Sequence, residues 1–144
     1  GIYCAYAIAL ALLHREKSGQ GQRIDLTMLD AVISLLADIS TSFLNTGHRY
    51  EKFGNGHPDL VPYQAFEARD GYFIVACLTN AFFRRLCAGL GREELLEDER
   101  FATNVARCRN RQAIVDILQE IFLTDTRDHW IRLCTDNDLP ACRV

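Results

Sequence analysis

The sequence predicts an α/β fold in which a helix, a strand and a second helix are followed by a β-hairpin and further helices. Three observations lead to this prediction: an apolar run over residues 2–13, alternating apolar and polar residues over 23–28, and an Asp70-Gly71 pair between two β-rich arms. The order helix–strand–helix is that of an α/β domain. Asp-Gly between two such arms indicates a hairpin with a type I′ turn.

The first predicted element is a helix over residues 2–17, which are rich in Ala and Leu. Because this segment is apolar on nearly every side, we expect the helix to be deeply buried. Its apolar run is shorter than the roughly 20 residues of a membrane span, so we expect no membrane partner. The chain starts at Gly1, directly before this run and without an initiator Met, and we interpret it as a piece of a longer protein.

A short strand and a second helix are predicted next. The alternation over residues 23–28 predicts a strand with one buried face. Residues 27–30 resemble a capping box with Asp in place of Glu, and apolar residues at helical spacing over 29–43 predict the helix that follows. Asn45-Thr46-Gly47 ends this helix.

The region between this helix and the hairpin is predicted to be a functional loop. Residues 48–62 have no periodicity and contain Gly54, Asn55, Gly56, His57 and Pro58. A loop of this length in a compact chain is more typical of a functional segment than of a plain connector. It lacks the strand–loop–helix context of a phosphate-binding loop. A tight turn leading into the hairpin is the alternative interpretation.

The remainder is predicted to be a hairpin followed by helices. The hairpin arms are residues 63–68 and 72–77. Caps and apolar periodicity then predict four helices. The first starts at Thr79 or Asn80 and ends at Gly91, and a short acidic helix follows over 93–98. The third covers 110–122, and the last is capped by Thr126 and buries Trp130 and Leu133.

Composition and charge narrow the function classes. The net charge is −3 and no concentrated basic footprint is present, which argues against a nucleic-acid partner. We interpret Arg107, Arg109 and Arg111 as a solvated helix face. None of the six cysteines forms a CxxC pair, which argues against a zinc knuckle. Most of them stand among apolar residues, which suits a reducing, cytoplasmic location better than a disulfide-bonded secreted domain.

The residues alone indicate no catalytic constellation. There is no GxSxG elbow, and the four histidines have no metal-binding spacing, so no metal site is expected. The acidic run over residues 93–99 is interpreted as a solvated face. Asp25 and Asp30 flank a strand–helix junction, where capping or surface roles explain them without catalysis.

Four stretches of the chain, taken in order, carry a family resemblance. They are residues 11–26 with Gly19-Gln20-Gly21-Gln22, residues 54–58 with 61–66 and 70–72, residues 100–104 with Arg107, Asn110 and Arg111, and residues 139–144. Together they resemble the class III CoA-transferases, a family that includes carnitine dehydratase-like, bile-acid-inducible and formyl-CoA transferase-like proteins. The resemblance covers the whole chain.

The resemblance implies a domain organisation. Residues 1–47 would be the C-terminal, helix–strand–helix piece of a large Rossmann-like α/β domain. Residues 48–62 would be a linker and active-site loop. Residues 63–144 would form a small α+β domain with the hairpin and would end in a truncated strand.

The resemblance also implies a reaction and its partners. Such enzymes move CoA between carboxylic acids through an aspartyl-CoA thioester, with acyl-CoA and a carboxylate as substrates and no further cofactor. The family's nucleophilic Asp would lie just before the residue that matches Gly1, so no residue here is assigned as catalytic and the chain alone is expected to be inactive. The intact protein is expected to be an interlocked homodimer in the cytoplasm. Gly54–Pro58 would be the substrate and CoA loop, with Tyr63 beside it.

Two alternatives remain open at this stage. One is an acyl-CoA racemase or carnitinyl-CoA dehydratase-like member of the same superfamily. Thr79 stands where related racemases place a catalytic Glu, which disfavours the racemase. The other is a non-catalytic binding or assembly module, which the unpartnered apolar helix over residues 2–13 argues against.

Overall fold

The computed structural model describes all 144 residues, which form two compact units, residues 1–51 and residues 52–144. The mixed α/β class is as predicted: eight helices accompany one sheet of three strands. The finer boundaries at residues 47 and 62 stay predictions, although the change from one unit to the next lies inside the predicted linker.

The first unit consists of three helices: α1 (Ile2–Ser18), α2 (Met28–Leu35) and α3 (Ala37–Thr46). Gly19 ends α1 and Gly47 ends α3, each in the left-handed conformation at φ +71°. Thr27 caps α2 as predicted, because its hydroxyl oxygen accepts a hydrogen bond from the backbone N–H of Asp30 at 3.2 Å.

The strand predicted over residues 23–28 is not formed, and this part of the prediction is wrong. Residues 20–27 have no regular structure, and the sheet contains only residues of the second unit. A strand is stabilised by hydrogen bonds to a neighbouring strand, so alternation alone does not produce one where no partner is present.

The predicted second helix is also divided in two. Leu36 leaves the helical region at φ −89° and ψ 37°, and its N–H donates to the carbonyl of Ile33 three residues back. No single helix is long and apolar enough to span a bilayer; α2 and α3 reach that length and composition only together, and they meet at a bend of 86°.

Apolar side chains of the first unit are largely exposed. None of the residues in its three helices is buried, and Ile2 in α1 is 86 % exposed. The expectation that the first helix is deeply buried is therefore wrong for this chain, since α2 and α3 cover too little of it.

The second unit is built on the predicted hairpin. Strands β1 (Tyr63–Ala68), β2 (Gly71–Ala76) and β3 (Ala141–Arg143) form an antiparallel sheet in the order β1-β2-β3. Ala68 pairs with Gly71, so the turn residues are Arg69 and Asp70, one position earlier than predicted. Neither has the positive φ of a type I′ turn; Gly71 has it instead, at +132°.

Five helices surround this sheet: α4 (Asn80–Leu90), α5 (Glu94–Glu97), α6 (Asn104–Arg109), α7 (Arg111–Phe122) and α8 (Arg127–Asp136). Hydroxyl oxygens of Thr79, Thr103 and Thr126 cap α4, α6 and α8. The Thr79 and Thr126 caps are as predicted, whereas the Thr103 cap was not expected.

The core lies between one face of the sheet and these helices. The Phe122 ring is in edge-to-face contact with Phe66 and Phe73 at centroid distances of 5.0 Å, and with Trp130 at 5.4 Å. The indole N–H of Trp130 donates to the carbonyl of Phe122 at 2.7 Å, which satisfies its only polar group. This core fixes α7 and α8 against the hairpin.

The outer edge of β1 has its backbone groups satisfied by side chains. The Gln119 amide of α7 donates to the Glu67 carbonyl at 2.8 Å and accepts from the Glu67 N–H at 3.1 Å. The Asn55 side-chain oxygen accepts from the Ala65 N–H at 3.3 Å. These bonds connect the candidate loop and α7 to the same strand.

Candidate active-site loop

The candidate loop adopts a defined turn at its glycines. Gly54 has a φ of +63°, which favours glycine, and the Gly56 N–H donates to the Phe53 carbonyl at 3.1 Å. A Cβ on Gly56 would lie 3.3 Å from the Phe53 oxygen and 3.4 Å from side-chain atoms of Gln64 and Arg111. The conformation at residue 54 therefore favours glycine, and a side chain at residue 56 would be tightly packed against the Phe53 carbonyl.

His57 connects the loop to the first residue of the sheet. Its N–H donates to the Tyr63 carbonyl at 2.9 Å, and its ring stacks on the Tyr63 ring at 5.3 Å with an interplanar angle of 12°. Its Nδ1 accepts from the Asp59 N–H at 3.1 Å. An accepting Nδ1 carries no proton, so the neutral imidazole has its proton on Nε2.

The structure thus places the six predicted loop residues together at one end of β1. Gly54 to Pro58 form the turn, Asn55 bonds to the β1 edge, and Tyr63 lies under the His57 ring. Their assignment to substrate and CoA binding stays a prediction.

Arg111 is the main support of the loop, a role that its sequence context did not predict. Its Nη2 donates to the carbonyls of His57 and Pro58 at 2.9 and 2.6 Å. Its guanidinium carbon lies 4.9 Å from the centroid of the Phe53 ring. The interpretation of Arg111 as part of a solvated face is wrong, because loop carbonyls take the place of water around the guanidinium.

Arg107 is fully buried and holds the far end of the loop. Its Nε donates to the Val61 carbonyl at 2.7 Å, its Nη1 to the Phe101 carbonyl at 2.8 Å, and its Nη2 to the Asn80 side-chain oxygen at 3.0 Å. Its guanidinium also lies 4.1 Å from the centroid of the Phe83 ring. Of the three arginines, only Arg109 is exposed as predicted.

Asn104 completes this support. Its side chain donates to the Asp59 carbonyl at 2.7 Å and accepts from the Val61 N–H at 3.1 Å. Residues 104, 107 and 111 are spaced by three and four positions, which places them on one side of the α6–α7 segment. That spacing was visible in the sequence, and it separates Arg109 from the other two arginines.

The surrounding thiols are not activated as nucleophiles. Burial raises the pKa of Cys77 to about 12, against the opposing effect of the Arg107 charge, and burial likewise raises the pKa of Cys87 to about 12. Burial also raises the pKa of Cys108, which lies near the loop. The thiols around the loop are therefore protonated at neutral pH and are poor nucleophiles. No group of His, Cys, Asp and Glu is arranged to hold a metal ion.

A family comparison gives this loop its context. The family model described as CoA-transferase family III matches residues 1–144. The chain belongs to CoA-transferase family III. The resemblance found in the four sequence motifs is thereby confirmed for the whole chain.

Curated family III relatives give the same result at the level of sequence. An acyl-CoA transferase of Fusarium pseudograminearum is 36 % identical over 97 % of this chain and 31 % of its own length. A succinate–glutarate CoA-transferase of Agrobacterium fabrum is 36 % identical over 98 % of this chain and 35 % of its own length. The chain therefore spans about a third of the curated relatives that it matches.

A solved structure of a similar protein has the same fold over this part of its chain. A CaiB/BaiF family protein from Brucella suis is 38 % identical and superposes with a TM-score of 0.78, over all of this chain and 38 % of that one. The α/β class expected from the resemblance is thereby confirmed.

Proposed function

We propose that the whole protein transfers CoA from an acyl-CoA to a carboxylic acid. The observation that carries this proposal is the family III match over all 144 residues. Relatives named for this reaction class support it: besides the Agrobacterium fabrum enzyme, an acetyl-CoA:oxalate CoA-transferase of Acetobacter aceti is 32 % identical over 98 % of this chain. A dicarboxylic acid is the acceptor or donor class that these names favour.

The proposed mechanism uses an aspartate that is not among these 144 residues. Its carboxylate attacks the acyl-CoA carbonyl, which forms a mixed anhydride between the aspartate and the acyl group and expels CoA as a thiolate. The thiolate then attacks the aspartyl carbonyl, which releases the first carboxylate and leaves an aspartyl-CoA thioester. The acceptor carboxylate reverses these steps to give the new acyl-CoA. No cofactor beyond CoA as substrate takes part, and the 144-residue chain alone is inactive.

In this proposal the 54–58 loop covers the thioester. Because Gly54 and Gly56 have no side chain, the backbone can approach the substrate closely there. The residues that line this part of the site are Asn55, His57, Pro58 and Tyr63. The loop has the defined conformation that such a role requires, since Arg111 and Asn104 bind its carbonyls. We further propose that the whole protein is an interlocked homodimer in the cytoplasm; six free cysteines agree with a reducing compartment.

Thr79 gives no support to the racemase alternative. Its hydroxyl oxygen accepts from the Phe82 N–H at 3.3 Å, so it caps α4. A capping hydroxyl supplies no carboxylate for proton transfer at this position.

Glycine variants of the whole protein test the role of the loop. Gly54→Val should lower kcat and kcat/KM together, because a β-branched residue disfavours the φ of +63° and distorts the loop at the thioester. Gly91→Val is the matched control: Gly91 also has a φ of +63° and open space around its Cβ position, but it ends α4 away from the loop.

The two variants should lose similar stability, while only Gly54→Val should lose kcat per folded molecule. Steady-state kinetics with succinyl-CoA and a series of dicarboxylates, run beside thermal melts, separates these effects. Equal kcat in the two variants would remove the loop from the site. Absence of CoA transfer by the wild-type whole protein with every pair would overturn the proposed reaction.

A further inference from the structure

Two carbonyl groups of the candidate loop accept hydrogen bonds from one charged side chain, that of Arg111. His57 and Pro58 are consecutive residues, and both of their carbonyls accept from the same nitrogen of Arg111, at 2.9 and 2.6 Å. Hydrogen bonds from a charged donor are stronger than those between neutral groups, and the half-buried position of Arg111 strengthens them further. This pair of bonds fixes the orientation of two successive peptide groups.

The same side chain also contacts the start of the loop. The guanidinium lies over the Phe53 ring at 4.9 Å, and Nη1 is 3.4 Å from the position that a Cβ on Gly56 would occupy. Arg111 therefore contacts residues at both ends of the turn. A lysine has a single ammonium group and no planar face, so it would reproduce only part of these contacts.

The guanidinium is itself held in place by the fold. Arg111 is the first residue of α7, and Ile114 and Leu118 of the same helix are fully buried in the core. Asn104 and Arg107 bind residues 59 and 61 from the preceding helix. The position of the loop is thus set by helices that belong to the core of the second unit.

We propose that Arg111 is a positioning residue for CoA transfer, which holds residues 53–58 in the conformation that meets the thioester. This inference rests on the proposed function. Arg111 acts through the loop rather than on the reacting atoms, because its Nη2 is bound to two loop carbonyls and its guanidinium lies over the Phe53 ring. Replacing it should release the loop without unfolding the unit, since its side chain lies outside the buried core.

The first test measures loop order in the whole protein. Amide hydrogen exchange is measured for Gly56, His57 and Asp59, whose N–H groups are bonded within the loop or to β1. It is compared between the wild type, Arg111→Gln, Arg111→Lys and the control Arg109→Gln. Losing two charge-assisted bonds should speed exchange roughly tenfold or more in Arg111→Gln and less in Arg111→Lys. Amides of β2 and α7 should exchange as in the wild type, as should all amides of Arg109→Gln.

The second test measures turnover by the whole protein. Arg111→Gln should lower kcat about tenfold or more, with Arg111→Lys between it and the wild type and Arg109→Gln unchanged, because small misplacements of a positioning element cost that much in rate. Unchanged exchange at the three loop amides would overturn the positioning role. Faster exchange with wild-type kcat would overturn its link to catalysis. If the wild-type protein transfers no CoA, the proposed function fails, and the exchange result still decides whether Arg111 orders the loop.

Discussion

Replacing Arg107 is the most demanding test of how the second unit is held together. Arg107→Met keeps the length of the side chain but removes every donor. It leaves the carbonyls of Val61 and Phe101 without their partners. Each buried acceptor that loses its hydrogen bond costs about 1–3 kcal/mol, so the two together cost roughly 2–6 kcal/mol of the free energy of unfolding. The lost contact with the Phe83 ring adds to this.

The expected result is a large fall in melting temperature. A change of 1 kcal/mol shifts Tm by roughly 4–8 °C in a unit of this size, so Arg107→Met should melt at least about 8 °C below the wild type. The Tm of Arg107→Lys should lie between those of Arg107→Met and the wild type, because a single ammonium group replaces the planar guanidinium. Arg109→Met is the matched control and should stay within about 0.5 kcal/mol of the wild type. A Tm for Arg107→Met within about 2 °C of the wild type would refute the reasoning.

Three further predictions concern other parts of the chain. Alkylation at pH 8 should modify Cys4 and Cys142 quickly and the buried thiols only after denaturation, because the pKa of Cys77 is raised to about 12 by burial; mass spectrometry of the native protein checks this. The Asp70 pKa is lowered, mainly by the hydrogen bond from the Arg127 backbone N–H. The ionised carboxylate therefore stabilises the fold above the unfolded pKa of about 3.9, and this stabilisation is lost as the pH falls below that value. The Tm difference between wild type and Asp70→Asn should shrink from pH 6 to pH 3, whereas a constant difference would contradict this. The exposed apolar side chains of α1 to α3 should make the 144-residue chain self-associate, and light scattering that shows a monomer at every concentration would contradict that.

Helix ends and the hairpin were predictable because their signals are local. Thr79 and Thr126 cap helices through bonds to residues three positions later, and Gly91 ends α4 directly after its last periodic residue. These contacts are complete within a few residues, so the sequence contains all that is needed to identify them. The hairpin was found for the same reason, although its turn is shifted by one residue.

The parts that were mispredicted depend on residues far apart in the chain. Arg107 looks like a surface residue in its own segment, but its acceptors come from residues 61, 80 and 101. The strand over residues 23–28 needed a neighbouring strand that is not present in the first unit. The break at Leu36 has neither Gly nor Pro to signal it. The loop itself was found from its length and composition, whereas its support by Arg111 and Asn104 required the structure.

The hydrogen bonds between the loop and β1 also cover the outer edge of the sheet. The backbone groups of three β1 residues point outward along this edge. The Tyr63 carbonyl accepts from the His57 N–H, the Ala65 N–H donates to the Asn55 side-chain oxygen, and the Glu67 carbonyl accepts from the Gln119 amide. Lifting the loop would free the first two groups and leave only the Glu67 pair occupied. An opened state would then present a partly unpaired strand, to which another extended chain could add. The loop as it stands therefore covers part of a strand edge that would otherwise be open to pairing with another chain.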